Sequence, residues 1–185
     1  PAWGSGCYVI PDRLSFGEAA MMDILAVCVH VAHQGRIRPG RPVLMMGAGP
    51  AGNGIAQAAR LLGAGRVVVT DIADTALTMA RKAGFGPGVD ARGKSVPVLA
   101  AELRSFAPDG FGTVFDSVGG KDSFDLGLGL LGKRGTLVNM AVHDQDFPVN
   151  FIRLGSERRI TTSSNFATGD YPIATLFVGL GQVGW

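Results

Sequence analysis

The stretch Val43-Leu44-Met45-Met46-Gly47-Ala48-Gly49-Pro50-Ala51-Gly52, followed further on by Arg66-Val67-Val68-Val69-Thr70-Asp71, decides the fold of this chain. An apolar strand runs into a glycine loop, the loop opens a helix, and a second apolar strand ends in an acid. Gly47, Gly49 and Gly52 fill a G-x-G-x-x-G pattern, and Asp71 stands 19 positions after Gly52. Each glycine has its own reason. Gly47 lets the chain turn sharply out of the strand, Gly49 leaves room for backbone to approach a diphosphate, and Gly52 lets the helix pack closely on the strand. Pro50 suits a first helical position, where its missing N–H has no partner to lose. The open amides and positive dipole end of that helix attract phosphate. Ala51, Ile55, Ala58, Ala59 and Leu62 recur at helical spacing and give the helix an apolar stripe. Gly63 and Gly65 close it, and Val67–Val69 reads as a buried parallel strand.

Asp71 chooses between ligands. A carboxylate there accepts hydrogen bonds from a ribose hydroxyl, worth roughly 1.5–3 kcal/mol. A ribose 2′-phosphate would bring about −1.5 to −2 charges against it. No arginine follows to receive such a phosphate, since the next residues are Ile72 and Ala73. The expected ligand is therefore NAD, preferred over NADP. Glycine is abundant, 28 of 185 residues, so part of the pattern could arise as ordinary turns. Another nucleotide-type ligand on a similar sheet, such as a methyl-donor cofactor, stays open as an alternative.

The rest of the chain alternates strands and helices, which predicts an α/β fold: a Rossmann-type, doubly wound parallel sheet of about six strands with helices on both faces. Ser15 and Glu18 form a capping box for a helix running to about His33, with Gly35 after it. Further helices are expected over 74–83, 96–106, 123–131 and 171–179. Strands are expected at 43–46, 67–71, around Val89, at 113–116, 135–141 and 159–162. Strand ends on one side of such a sheet form the ligand crevice. That places Ser117 and Val118, then Asn139, Ala141, Val142 and His143, beside the glycine loop. The Ser117-Val118-Gly119-Gly120 run reads equally well as an adenosine contact or as a tight turn before a helix.

Composition narrows the partners. Hydrophobic residues make up 46% of the chain and the net charge is +2, with neither a basic stripe nor an acidic tail, so nucleic acid and anionic membranes are not expected partners. The longest apolar run, 19–31, is interrupted by Asp23 and His30 and is too short to span a bilayer. Cys7 and Cys28 have no metal spacing and suggest no disulfide framework, so a cytoplasmic setting is the default expectation.

In their order these motifs resemble the cofactor domain of the zinc-containing medium-chain alcohol and polyol dehydrogenases. The matching stretches are 14–23, 39–52, 62–71, 115–120 and 135–138, and the likeness extends from about Leu14 to Gln182. The resemblance implies a division into a lead-in (1–15), an NAD-binding domain (16–170) and the start of a return segment (171–185). It implies an oxidoreductase moving hydride between an alcohol and NAD, with zinc in the full-length enzyme and a fragment that is inactive alone. Gly47, Gly49, Pro50, Ala51, Gly52, Asp71 and Ile72 would serve the phosphate and ribose end of the cofactor, and Ser117, Val118, Asn139, Ala141 and Val142 the remainder. Asp23 occupies the position of a metal ligand in some members. Read from the residues alone, Asp23 and His30 share a polar helix face turned to solvent. His30 and His33 sit near a helix end, where the dipole favours them, and His143 reads as a surface-loop residue with a proton-relay role as the alternative. Ala76 replaces a basic residue common in relatives, and Ala141 replaces a glycine. The resemblance also implies a homodimer or homotetramer built through the last strand. A non-catalytic nucleotide-binding or regulatory module is the second reading.

Overall fold

The structure is a computed structural model and describes residues 7–86, 88–142, 144, 146 and 148–183; His143 lies outside the described residues. In chain order the elements are α1 (Phe16–Ala20), α2 (Met22–Gln34), β1 (Val43–Met46), α3 (Pro50–Leu61), β2 (Val67–Asp71), α4 (Asp74–Lys82), β3 (Val89–Asp90), α5 (Val96–Phe106), β4 (Phe111–Asp116), α6 (Lys121–Leu130), β5 (Leu131–Asn139), β6 (Arg159–Thr162) and α7 (Asp170–Gly179). The strands form one six-stranded sheet in the order β3-β2-β1-β4-β5-β6. Every pairing in it is parallel.

Strand alternation sends side chains to two separate cores. Val43, Met45, Val67, Val69, Phe115 and Val138 join the apolar faces of α2, α3 and α7 on one side. Leu44, Met46, Val68, Val114 and Leu137 join α5 and α6 on the other. Both faces of the sheet are covered, which explains why its central strands read as unbroken apolar runs.

Several boundaries differ from the sequence reading, three of them with a clear physical reason. The expected single helix from Ser15 is two, because Met21 separates α1 from α2; the Ser15–Glu18 capping box is present at its start. Leu131, expected in a helix, opens β5 instead and pairs with Phe111, and the ladder shifts register between Phe111 and Thr113. β5 stops at Asn139, short of Ala141, and the Asn139 side chain accepts the Ala141 amide at 3.2 Å. Gly35 does end α2, but with φ −66°, not in the left-handed region. A Cβ there would lie 2.5 Å from the Phe115 ring and 2.8 Å from the Thr113 methyl, so close packing on β4 is what asks for glycine.

The two helix histidines neither face solvent together with Asp23 nor merely decorate a helix end. His30 Nδ1 lies 2.8 Å from one carboxylate oxygen of Asp170, and His33 Nδ1 lies 3.2 Å from the other. The Ala167 amide donates to the same carboxylate at 2.8 Å. This clamp joins α2 to the start of α7. Burial pushes the Asp170 carboxyl up, but the Ala167, His30 and His33 bonds outweigh it and hold the group below its ordinary value. A lowered folded-state value stabilises the fold above the unfolded carboxyl range and is lost as pH falls through the folded one. Asp170→Asn is therefore expected to cost about 1–3 kcal/mol at neutral pH. In denaturant titrations the gap between the two proteins should narrow as pH drops below about 4.

Candidate cofactor crevice

The chain leaves β1 and winds outward through β2 and β3, then returns to the other side of β1 as β4. Between the carboxyl ends of β1 and β4 the winding reverses, and a crevice opens there. Its floor is the glycine loop, and the three glycines divide their duties as the pattern predicts. Gly47 has φ +95°, which an L side chain rarely adopts, and a Cβ on it would come within 2.2 Å of the Ser117 hydroxyl oxygen. A Cβ on Gly52 would sit 1.9 Å from the Gly47 carbonyl oxygen. Gly49 has ordinary dihedrals, φ −61° and ψ −178°, and nothing lies within 4 Å of where its Cβ would be. Its lack of a side chain serves neither backbone nor packing, and leaves space for a ligand.

Gly49 is the N-cap of α3, Pro50 its first residue, and no side chain caps it. The first-turn amides of Ala51 and Gly52 have no intrahelical acceptor. These uncapped donors, with the positive end of the helix dipole, are able to receive an anion.

Asp71 ends β2 at the rim. One of its oxygens accepts the Ala48 amide at 2.6 Å; the other accepts the Ile72 and Ala73 amides at 2.7 and 2.8 Å. The carboxylate thus ties the glycine loop to the turn after β2. A carboxylate offers about four acceptor positions, so after three backbone bonds about one remains for a ligand hydroxyl. Ile72 beside it is 66% exposed, an apolar surface left open at the crevice mouth.

Ser117 has a scaffolding bond: its hydroxyl donates to the Met46 carbonyl at 2.8 Å, stitching β4 to β1 beneath Gly47. Asp116, which the sequence reading passed over, is fully buried and organises the turn that follows. Its carboxylate accepts the Val118 and Gly119 amides at 2.9 and 3.1 Å and the Ser123 hydroxyl at 2.9 Å. The signal was an acid before Ser-Val-Gly-Gly, the composition of an Asx-type turn. Val118 is left 63% exposed over the crevice, and Val142 is fully exposed past the end of β5. Asn139 and Ala141 lie at that same end.

A cavity of about 300 Å³ gathers Gly47, Asp71, Ile72 and Val118 in one wall. The opposite wall comes from Ala91, Lys94, Ser95, Val96 and Leu99 and from Asp122, Ser123 and Leu126. The second group was missed. It belongs to the starts of α5 and α6, and only the crossover topology carries it across to β2. A larger groove of about 770 Å³ between α3 and α4 includes Ala48, Gly49 and Pro50 at the start of α3.

Asp23 is exposed on α2. Among the described residues no group of three His, Cys, Asp or Glu side chains could hold a metal ion. Zinc asks for four ligands, so these residues do not fit it unaided. The Cys28 thiol is buried, donates to the Ala51 carbonyl at 3.3 Å and is pushed up to about 12 by desolvation, which keeps it protonated. No helix among the described residues is long and apolar enough to cross a membrane.

Residues 50–178 match a family of proteins described as zinc-binding dehydrogenases. The probable D-xylulose reductase A of Aspergillus clavatus is 32% identical over 181 residues, covering 96% of this chain and 50% of that protein. Its counterpart in Emericella nidulans is 30% identical over 183 residues, covering 96% and 50%. The chain thus spans about half the length of these curated relatives. Among solved structures, L-idonate 5-dehydrogenase of Escherichia coli superposes with a TM-score of 0.80 at 24% identity, covering 97% of this chain and 51% of that one. For 2R,3R-butanediol dehydrogenase of Bacillus subtilis the TM-score is 0.85 at 17% identity, covering 94% and 49%. At these identities the two structures establish the shared fold.

Proposed function

The chain belongs to the zinc-binding dehydrogenase family, and from that premise we propose that it is the NAD-binding part of an alcohol or polyol dehydrogenase. One observation carries this reading: the unobstructed space at Gly49, in front of the uncapped start of α3, lies within one loop of a rim carboxylate. The α3 amides would hold the diphosphate, and the spare acceptor of Asp71 an adenosine hydroxyl. Ile72, Val118 and the α5–α6 wall would enclose the base. Asn139, Ala141 and Val142 would lie toward the nicotinamide. The family and the xylulose reductase relatives favour a small alcohol or polyol as the partner in hydride exchange. NAD supplies the hydride acceptor when bound, and the residues of this chain orient it. Asp23 would be a single zinc ligand within a longer protein, too few donors to hold the ion alone.

Calorimetric titration tests the reading. The chain should bind NAD, bind NADP more weakly, ignore a methyl-donor nucleotide, and oxidise no alcohol unaided. Failure to bind NAD, or preference for the methyl donor, would overturn it.

We also propose that β6 is an assembly edge. It is the outer strand of the sheet, and its outward backbone groups invite pairing with a second copy. The Ser163 amide bonds to the Asn139 carbonyl at 3.1 Å, and strand backbones alternate, so the Thr162 amide points away from β5. Thr162→Pro should therefore leave the sheet intact while halving the assembly, dimer to monomer or tetramer to dimer, in sedimentation velocity. A parent chain that is already monomeric would remove the proposal.

A further inference from the structure

A second cavity, of about 470 Å³, lies at the opposite end of the sheet from the crevice. Because β3 pairs only with Thr70 and Asp71, the flank of β2 along Val67–Val69 is left open, and it lines this cavity. Arg60 and Arg66 stand at its sides with Phe85 and Phe106. The Arg60 guanidinium carbon is 4.8 Å from the Phe85 ring centre, and that of Arg66 is 5.9 Å from the Phe106 ring centre. Arg60 donates one N–H to the Ala83 carbonyl at 3.0 Å. Among the described residues neither arginine meets a carboxylate.

Topology adds to this charge. A parallel sheet turns every strand's amino end the same way, so the segments leading into β1, β2 and β4 share one face. Those segments bring Arg36, Arg38, Arg41 and Arg66, joined by Arg60 and Arg104 from the ends of α3 and α5. Asp109 is the acid in the turn that enters β4, and Glu157 is engaged by Arg134. The crevice face, by contrast, mixes Asp71, Asp90 and Asp122 with Arg92, Lys94 and Lys121. The sequence, with its charges interspersed, shows no basic stripe; the fold assembles one face from them. Cations in a concavity with low-dielectric walls focus the field on an entering anion.

We infer that this cavity binds a small organic anion: one carboxylate or phosphate group on a flat apolar body. The guanidinium groups of Arg60 and Arg66 would take the anionic group in forked hydrogen bonds. The half-buried Phe106 ring would take the body beside the unpaired backbone edge of β2, whose valine side chains are themselves buried in the two cores. The volume lies in the range of small-molecule sites. A nucleic acid would instead require a longer track of cations matched to successive phosphates.

Phenyl phosphate titrated into the full chain, followed by amide NMR, tests the site. The expected shifts fall on residues 66–69, 85 and 106, and leave 47–52 unmoved. Arg66→Gln should weaken binding about tenfold or more while the rest of the spectrum stays in place. Phe106→Leu should weaken phenyl phosphate more than inorganic phosphate. Shifts confined to the glycine loop, equal affinity in Arg66→Gln, inorganic phosphate binding as tightly as phenyl phosphate, or a short oligonucleotide binding more tightly than either would each overturn the inference.

Discussion

The Gly49→Asp variant is expected to melt at a higher temperature than the parent chain and to bind NAD at least about a hundredfold more weakly. Both halves follow from one position. Gly49 is the N-cap of α3, in extended backbone, with empty space where a side chain would go. Aspartate is among the best N-cap residues and its charge complements the helix dipole, together worth about 0.5–1 kcal/mol over glycine. The same carboxylate would occupy the amides proposed to hold the diphosphate. Unit charges about 4 Å apart repel by about 4 kcal/mol at an effective dielectric of about 20, enough for the affinity loss even after screening. Gly52→Ala should instead lower the melting temperature. Its Cβ would sit 1.9 Å from a backbone oxygen, which has no side-chain freedom with which to yield. Overpacking there should cost about 3 kcal/mol of stability. Thermal melts and NAD titrations of the pair separate the roles. A Gly49→Asp protein that binds NAD normally would show that the α3 start is not the diphosphate seat.

The parts legible in the sequence were those governed by local rules. The three glycines sit two and three residues apart, so their spacing alone encodes a loop and a helix start. β1 and β2 are buried on both faces, so they read as unbroken apolar runs. The same locality explains the misses. Asp170 lies 140 residues from His30, and no pattern on α2 announces that a carboxylate on a distant helix receives both imidazoles. Lys94, Val96 and Leu126 enter the crevice wall because α5 and α6 pack on the far face of the sheet, and that follows from strand order. Leu131 was read as helical because it continues an apolar helix pattern; pairing with Phe111 on β4 claims it for the sheet. Asp71 was legible as an acid after a strand, but not its bond to the Ala48 amide, which makes it a brace for the loop as well as a ligand group.

That double duty shapes the second expectation, a switch of cofactor preference in Asp71→Ser combined with Ile72→Arg. Removing the carboxylate takes away the charge opposing a 2′-phosphate. Ile72 is 66% exposed, so an arginine there reaches the rim without burying its charge. Together the changes should move the NAD-to-NADP affinity ratio toward NADP by one to two decades, or about 1.4–2.8 kcal/mol. Absolute affinities would mislead. The carboxylate also accepts three backbone amides, and serine cannot satisfy all of them, so the variant should lose about 1–3 kcal/mol of stability. A loosened glycine loop weakens both cofactors alike, and the ratio cancels that shared loss. Asp71→Asn supplies the control. It keeps one acceptor oxygen and the shape while deleting the charge, so it should shift the ratio part of the way with a smaller fall in melting temperature. If the ratio stays where the parent chain has it in both variants, Asp71 only braces the loop, and the discrimination lies elsewhere in the crevice.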